Sequence, residues 1–286
     1  MNHRPAILTV APLAQHYYDE VTTFPTASGL AAEIVACHRA GAAVCHLHVI
    51  DERGYPTFDS SFFEEVLARV RDESDIVMQS STGGVSSLSR DERSVSVGVP
   101  GMEMASLNMG SCDLGETAYV NTPADVRYWA EKMQRHGVKP EMVFFEPGMF
   151  GMLDRLRAEG LADGPPVVNL ALGFVGALPA SPENLLFMHS KLPAGAEWSV
   201  TAHHARDLSL QAVALSLGGN LRVGFEDSVY RTPRHRAADN AELVAAARDL
   251  AALLGRDLAT PAEARERYGM APLAEINRTL QTQFSA

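Results

Sequence analysis

The chain has 286 residues, of which 46% are hydrophobic, and it carries 24 Lys and Arg against 35 Asp and Glu, a net charge of −11. This excess of acidic groups argues against nucleic acid or an anionic membrane as a partner. The sequence predicts a soluble, cytoplasmic protein. Its three cysteines lack CxxC spacing, it has no secretion signal, and none of its apolar runs is as long as a membrane span.

Short apolar runs alternate along the chain with longer amphipathic ones. The predicted strands cover residues 6–13, 42–49, 75–81, 102–108, 141–147, 166–172, 197–202 and 221–226. The predicted helices cover residues 27–42, 60–74, 122–137, 181–192, 208–219 and 240–255. Thr122-Pro123 and Ser181-Pro182 mark helix starts, because each pairs an N-cap residue with proline at the first helical position.

Eight such alternations within about 250 residues, without a disordered linker, predict an α/β fold, a single (β/α)₈ TIM barrel. A doubly wound open sheet is the alternative, although neither GxGxxG nor GxxxxGK[ST] is present to support a nucleotide-binding version. We expect one domain, with the barrel from about residue 6 to 256 and a C-terminal extension over residues 257–286. The extension could dock on a neighbouring subunit or be a frayed end.

His46 and His48 lie one residue apart in the second predicted strand, so their side chains point to the same face. Two unpaired imidazoles in a core would be costly, whereas HxH on a strand presents two neutral imidazoles to a divalent metal. Glu226 can supply a third ligand, because the last strand of a closed barrel lies two strands from the second. This set suits zinc or ferrous iron. Arg222 shares a face with Glu226 and could pair with a carboxylate or bind an anionic substrate.

Further polar residues follow the predicted strands at their C-terminal ends, where barrel enzymes place their active sites. The sequence "SSTGG" offers hydroxyls and then glycines that allow a ligand to approach the backbone. The candidate substrate contacts are Thr82, Gly83, Gly84, Asn108 and Glu146. His203 and His204 could be site residues, but the pattern favours histidines of a surface loop.

Taken together, these segments resemble the beta-keto acid cleavage enzyme family over about residues 6–270. The similar segments are "AGAAVCHLHVIDERGYPTFD", "QSSTGG", "MEMASLNMGSCDLG", "HGVKPEMVFFEPGM", "LGGNLRVGFEDSVY" and "LGRDLATPAEARE". The resemblance implies a zinc-dependent barrel, usually a homotetramer. Such an enzyme converts a β-keto acid and acetyl-CoA into acetoacetate and a new acyl-CoA.

The resemblance also implies roles for individual residues. One zinc ion per chain would be held by His46, His48 and Glu226, the set that the strand spacing also favours. The four residues with implied catalytic roles are Asp227 as the catalytic acid–base group, Arg222 as its support, and the hydroxyl-bearing Ser81 and Ser106.

Two departures from the family pattern bear on the substrate. Residues 12–18 lack the carboxylate that faces an amino group in amino-substituted substrates, which predicts a preference for uncharged β-keto acids. The sequence "AHHAR" replaces a glycine-rich GxGR loop, and it leaves Arg206 as a shifted candidate for contact with CoA or substrate.

Two other functions are compatible with parts of the pattern. A metal-dependent aldolase or hydrolase could use the same three ligands without CoA, and a barrel without catalysis could keep only a binding role. The presence of Asp227, Arg222 and Ser81 beside the metal ligands argues against the second. The predicted partners are therefore a small β-keto acid and acetyl-CoA.

Overall fold

Eight parallel strands form a nearly closed barrel in the computed structural model, which describes residues 4–13, 26–83, 86–114 and 116–276. The strands are β1 (Leu8–Val10), β2 (Val44–Leu47), β3 (Val77–Ser80), β4 (Met104–Asn108), β5 (Lys139–Phe144), β6 (Val167–Leu172), β7 (Glu197–Ala202) and β8 (Leu221–Val223). Each strand from β1 to β6 pairs with the next, and β8 pairs with β1. Between β7 and β8, the Asn220 N–H donates to the Trp198 carbonyl at 2.7 Å. The TIM-barrel prediction is confirmed, and the open sheet is excluded.

The helices lie between the strands and follow the predicted order. They are α1 (Ala27–Ala40), α2 (Ser61–Glu73), α3 (Arg90–Arg93), α4 (Pro123–His136), α5 (Phe150–Ala158), α6 (Pro182–His189), α7 (Ser209–Ser216), α8 (Asn240–Leu253) and α9 (Pro261–Tyr268). Thr122 and Ser181 are N-caps, since their hydroxyls accept from the third residue of each helix. Within the described ranges, no helix combines the length and the apolar character needed to cross a membrane.

The structure corrects the prediction at several elements. Helices α3, α5 and α9 were not predicted, because α3 has four residues, α5 directly follows a proline turn, and α9 lies in the segment expected as an extension. The fifth strand spans Lys139–Phe144 rather than 141–147, since Pro147 begins a 3₁₀ turn over Pro147–Met149. The eighth strand ends at Val223, three residues earlier than predicted.

Two layers of side chains fill the barrel interior. At the N-terminal end of the strands, an apolar cluster includes Ile7, Val44, Val77, Met104 and Val167. Two positions further along each strand, on the same face, the residues are polar: Thr9, His46, Gln79, Ser106 and Asn169. Because side chains repeat on one face every two residues, an apolar layer fills the N-terminal end of the barrel interior. A polar layer lies next to it toward the C-terminal end, where barrel enzymes have their active sites.

Helix α9 closes the N-terminal end of the barrel. Ala264 and Tyr268 pack into the apolar cluster of that end, and Tyr268 is 5% exposed. The guanidinium of Arg265 donates to Glu103 at 2.6 and 3.0 Å, and Arg71 pairs with the same buried carboxylate. The described part of the predicted extension, residues 257–276, thus packs against its own barrel.

Candidate metal and catalytic site

Three potential metal ligands meet at the C-terminal end of the barrel. His46 lies on β2, His48 directly follows that strand, and Glu226 lies in the turn after β8. The Oε1 atom of Glu226 is 3.6 Å from Nε2 of His46 and 3.4 Å from Nε2 of His48. One ligand atom from each residue lies within 4.8 Å of the others. Two imidazole nitrogens and one carboxylate oxygen converging on one point fit a divalent ion such as zinc, with positions left open for substrate.

Gln79 holds His46 in the tautomer that a metal requires. Gln79 lies opposite His46 in the ladder between β2 and β3, and its Oε1 is 2.6 Å from Nδ1 of His46. An amide oxygen can only accept, so Nδ1 carries the proton and Nε2 presents its lone pair to the site. Burial lowers the pKa of His46 from 6.5 to about 3, which keeps the ring neutral. Sequence reasoning missed Gln79.

Arg222 joins the metal-ligand set to Asp227. Its Nε and Nη2 donate to the two oxygens of Asp227 at 2.8 and 3.0 Å, and Nη2 also donates to Glu226 at 2.8 Å. Burial opposes the charge of Arg222, but Asp227 and Glu226 outweigh it and raise its pKa above the usual value. Burial raises the pKa of Asp227, although Arg222 opposes that rise. A carboxyl group with a raised pKa is better suited to exchange protons with a substrate.

The buried carboxyl groups at this site outnumber its one guanidinium, that of Arg222. Burial opposes the ionisation of Glu226, but His46, His48 and Arg222 together hold its pKa below the usual range. Glu141, which sequence reasoning did not single out, is 3% exposed in the barrel interior, and burial raises its pKa. Three carboxyl groups therefore lie near one guanidinium, and a divalent cation would offset the negative charge of each ionised one beyond the first.

A turn at Gly224 lets two adjacent carboxylates face the same cavity. Side chains of neighbouring residues on a strand point to opposite faces, so Glu226 and Asp227 require the strand to end. The backbone of Gly224 has a φ of +145°, and a Cβ there would lie 2.1 Å from the carbonyl oxygen of Ala11. The N–H of Asp227 donates to the Gly224 carbonyl at 2.9 Å. Glycine at position 224 is therefore required by both conformation and space.

Ser81 and Ser106, whose hydroxyls have catalytic roles implied by the resemblance, both line the cavity. Their oxygens are 3.5 Å apart, and the Gly83 N–H donates to Ser81 at 3.0 Å. Thr82, in contrast, is fully buried, and its hydroxyl donates to the Ser106 carbonyl at 2.6 Å. Thr82 does not line the cavity in the described structure; its role there is to hold the third and fourth strand ends together.

The remaining predicted contacts fall into three groups. Gly83 and Asn108 line the cavity, and the amide of Asn108 donates to the hydroxyl of Tyr119 at 3.0 Å. Glu146 and Arg206 lie outside the cavity lining: Glu146 precedes the 3₁₀ turn after β5, and Arg206 is exposed. Gly84 lies outside the described residues, as do residues 14–18 of the segment after β1.

The cavity has a volume of about 450 Å³, and its outer wall is largely apolar. Its apolar lining residues are Leu114, Tyr119, Val143, Phe145, Ala171, Phe174 and Val175. His203 also lines it, and its ring stacks on Phe174 with centroids 4.1 Å apart. Burial, reinforced by His204, lowers the pKa of His203 from 6.5 to about 4. His203 is therefore a half-buried, neutral part of the wall, whereas His204 is exposed at the rim, as expected of a surface loop.

Comparison with known proteins shows which family and which relatives the sequence is similar to. A family model described as beta-keto acid cleavage enzyme matches residues 5–270. The 3-keto-5-aminohexanoate cleavage enzyme of Fusobacterium nucleatum is 35% identical over 243 residues, covering 84% of this chain and 88% of that protein. The 3,5-dioxohexanoate:acetyl-CoA acetone transferase of Paraburkholderia graminis is 30% identical over 307 residues, covering 96% of this chain and 98% of that protein.

A solved structure supports the architecture. The apo structure of ObcA is similar with a TM-score of 0.71 at 18% sequence identity. The match covers 86% of this chain and 65% of the ObcA chain, so this chain spans less than two thirds of that protein. At this level of identity the likeness shows the barrel fold alone.

Proposed function

Since this chain belongs to the beta-keto acid cleavage enzyme family, we propose that it is a zinc-dependent enzyme that transfers the acyl group of a β-keto acid to CoA. The reaction takes a β-keto acid and acetyl-CoA and gives acetoacetate and a new acyl-CoA. The observation that carries the proposal is the buried contact between the His46, His48 and Glu226 set and the Arg222–Asp227 pair, within one cavity.

A divalent ion held by the three ligands would act as a Lewis acid that polarises the substrate's keto oxygen and makes its C2 proton more acidic. Asp227 is the group placed to accept that proton, because its carboxylate lines the same cavity and lies one residue from a ligand. Arg222 fixes both Asp227 oxygens and keeps the carboxylate oriented. Its positive charge also offsets the free-energy cost of burying the carboxylates of Asp227 and Glu226.

The bonds and protons balance over the full reaction. After Asp227 takes the C2 proton, C2 forms a bond to the acetyl carbonyl carbon of acetyl-CoA, and the CoA thiolate leaves. The thiolate then adds to the former keto carbon, and the bond between that carbon and C2 breaks. C2 recovers its proton from Asp227, so acetoacetate and the new acyl-CoA are released. The Ser81 and Ser106 hydroxyls and the Gly83 N–H are hydrogen-bonding groups available for the oxygens that gain charge.

The test is turnover of a panel of β-keto acids with acetyl-CoA, with separate detection of acetoacetate and acyl-CoA. We expect both products in equal amounts, loss of turnover with a chelator and recovery when zinc is restored. Cleavage of the keto acid without acetyl-CoA would instead support a metal-dependent aldolase or hydrolase. Absence of any product from the zinc-loaded protein would overturn the proposal.

The proposal includes a homotetramer in a reducing, cytoplasmic environment. Exposed apolar side chains on the outer helices, Leu186 and Phe187 on α6 and Leu253 on α8, support contact between subunits. The three cysteines are free thiols, and Cys37 and Cys45 are buried. Light scattering of the purified protein measures the assembly, and a monomer would contradict this part of the proposal.

A further inference from the structure

A buried arginine, Arg93, lies behind the loops that follow the third and fourth strands. It is the last residue of the short helix α3, and it is 6% exposed. Burying a guanidinium group is costly unless its N–H groups find acceptors. Arg93 does not line the cavity, so the groups that it contacts decide its role.

The guanidinium of Arg93 donates to four neutral oxygens of these two loops. In the loop after β3, Nε donates to the Thr82 carbonyl at 3.2 Å. In the segment after β4, Nη1 donates to the Val120 carbonyl at 2.8 Å. Nη2 donates to the side-chain oxygen of Asn121 at 2.6 Å and to the Tyr119 hydroxyl at 3.4 Å. Arg93 therefore joins the two loops directly, through a planar group with several donors.

Two aromatic rings fix the plane of this guanidinium. Its Cζ lies 4.4 Å from the centre of the Trp129 ring of α4 and 5.2 Å from the centre of the Tyr119 ring, both within the range of cation–π attraction. Trp129 is fully buried, and its indole N–H donates to the Arg90 carbonyl at 2.9 Å. Because that ring is itself held in place, the guanidinium packed on it has a fixed orientation.

The bond to Thr82 acts on the hydroxyls of the cavity. Thr82 lies between Ser81 and Gly83, which both line the cavity. The Thr82 N–H donates to the hydroxyl oxygen of Ser106 at 3.2 Å, and the Gly83 N–H donates to that of Ser81 at 3.0 Å. A shift of the Thr82 carbonyl would therefore move the hydrogen-bonding groups that the proposed reaction uses.

The bond to Tyr119 acts on one wall of the cavity. Tyr119 ends a hairpin in which Cys112–Leu114 pairs antiparallel with Thr117–Tyr119, and it lines the cavity. Its hydroxyl also accepts from the Asn108 amide at 3.0 Å. A Cβ at Gly83 would lie 2.9 Å from that hydroxyl oxygen, so the two loops touch close to the group that joins them.

We propose that Arg93 is a positioning residue for the reaction. Its guanidinium holds the loop of residues 81–83 and the Tyr119 wall in one relative position, which keeps the cavity hydroxyls aligned with the oxygens of the bound β-keto acid. The assignment rests on the proposed function, in which those oxygens gain charge. A displacement of about 1 Å in such groups is enough to lower a rate roughly 10²-fold.

Arg93→Lys tests the assignment, because lysine keeps the positive charge but lacks the planar group that reaches both loops. Arg256→Lys is the matched control. Arg256 is 4% exposed, and its guanidinium also donates to neutral oxygens, the carbonyls of Arg4, Leu215 and Gly219, beside the starts of β1 and β8. We expect kcat to fall roughly 10- to 100-fold in Arg93→Lys and to be retained in the control.

Zinc content and thermal unfolding are measured on both variants. Zinc should stay at one ion per chain, and the losses of stability should be similar, because each variant loses bonds from a buried guanidinium to neutral oxygens. An equal fall of kcat in both variants would show a structural role alone and would overturn the assignment. If Arg93→Lys does not fold, Asn121→Ala carries the test, since it removes an acceptor of Arg93 outside the cavity lining. Unchanged kcat in that variant would contradict the proposal.

A double variant shows whether Arg93 acts through the loop that carries Ser81. We compare Ser81→Ala, Arg93→Lys and the combination of both. Residues that act as a unit have non-additive effects, so the combined loss of kcat should be clearly smaller than the product of the two single losses. Losses that multiply fully would mean that Arg93 does not act through Ser81.

Calorimetric titration of the zinc-loaded protein with acetoacetate separates this assignment from the proposed function. If acyl-CoA forms but Arg93→Lys has the kcat of the control, the assignment is wrong while the function stands. If no acyl-CoA forms but Arg93→Lys alone weakens acetoacetate binding, Arg93 positions the ligand-binding groups and the function is wrong. If the unmodified protein neither turns over nor binds acetoacetate, or if both variants bind it equally without turnover, both are overturned.

Discussion

At the level of single residues, Asp227 and Glu226 show how environment separates the roles of two adjacent carboxylates. Glu226 contacts both imidazoles and one nitrogen of Arg222, and these neighbours hold its pKa low. Asp227 contacts Arg222 through both of its oxygens, and its burial raises its pKa. The group with the lowered pKa suits metal ligation, and the group with the raised pKa suits proton transfer.

Asp227→Asn should therefore separate catalysis from metal binding. The amide keeps the size of the side chain but cannot accept the C2 proton, so we expect kcat to fall by roughly 10²-fold or more. The bound zinc should stay at one ion per chain, because Asp227 is not among the three donors. His46→Ala and His48→Ala should lose the metal while remaining folded. Near-normal turnover in Asp227→Asn would show that another group is the base.

Gln79→Leu should weaken metal binding without removing a ligand. Leucine has a similar size but cannot accept from Nδ1 of His46, so the tautomer and the orientation of the ring are no longer fixed. We expect the zinc affinity, measured by competition with a chelator, to fall roughly 10- to 100-fold.

Asn169→Leu is the matched control for this measurement. Asn169 is also a buried amide in the polar layer of the barrel, but it bonds Ser199 and Thr201 instead of a metal ligand. Equal loss of zinc affinity in both variants would mean that general disturbance of the barrel interior, rather than the His46 contact, is responsible.

At the level of elements, one buried carboxylate is a central polar contact between α9 and the barrel, beside the apolar packing of Ala264 and Tyr268. Glu103 precedes β4, and its side chain accepts from Arg265 of α9, from Arg71 of α2 and from the Met78 N–H. Two guanidinium groups therefore depend on one carboxylate in a region closed to solvent. This group links the helix that follows the barrel to strands at the opposite end from the site.

Glu103→Gln should destabilise the fold and loosen α9. Without the carboxylate, two buried guanidinium groups face each other, which costs about 3–5 kcal/mol for a broken buried pair. The measurement is thermal or urea unfolding, combined with limited proteolysis after residue 256. Glu73→Gln serves as the control, since Glu73 pairs with Arg39 on the surface and should contribute under about 1 kcal/mol. A stability change no larger than that of the control would contradict the role assigned to Glu103.

The sequence was sufficient for the barrel, and for placing His46 and His48 on one face, because both depend on local patterns. Eight apolar runs at regular spacing predict the strands, and the HxH spacing places two imidazoles on one face. The partners of these residues depend on contacts between distant parts of the chain. Gln79 lies opposite His46 only because of the register between β2 and β3, and Arg265 reaches Glu103 across 162 residues.

Two further helices, α5 and α9, were not predicted from the apolar periodicity of the sequence. Helix α5 has nine residues and begins directly after the 3₁₀ turn, so its apolar period is short. Helix α9 carries a capping box at Thr260 and Glu263, which a search for capping motifs could have found. Its place under the barrel could not be predicted in the same way, because no local pattern states which end of a barrel a later helix covers.

At the level of the whole molecule, the two ends of the barrel have opposite characters. The N-terminal end is filled by an apolar cluster and covered by α9, while the C-terminal end opens into a cavity of about 450 Å³. Polar groups are concentrated at the base of this cavity, and apolar side chains form its outer wall. A β-keto acid would place its keto and carboxylate oxygens at the base and its tail against that wall.

This arrangement predicts a preference for β-keto acids with an uncharged tail over 3-keto-5-aminohexanoate. The segment 14–18, which first indicated this preference, lies outside the described residues, but Val143, Phe145 and Phe174 of the wall point to the same result. An ammonium group placed there would lose water without gaining a counter-charge. Away from Glu226 and Asp227, Glu116 is the one carboxylate among the described lining residues, and it is exposed directly before the short strand Thr117–Tyr119.

The comparison to make is kcat/KM for the amino substrate and for a neutral chain of equal length. We expect the neutral chain to be favoured by about ten- to thirtyfold, or about 1.4 to 2 kcal/mol, which lies in the range that a pocket wall supplies. Phe174→Glu should move the ratio toward the amino substrate, because it adds a carboxylate at the wall, whereas Glu116→Gln should leave the ratio unchanged. A preference for the amino substrate that disappears in Glu116→Gln would show that this exposed carboxylate, rather than the apolar wall, selects the tail.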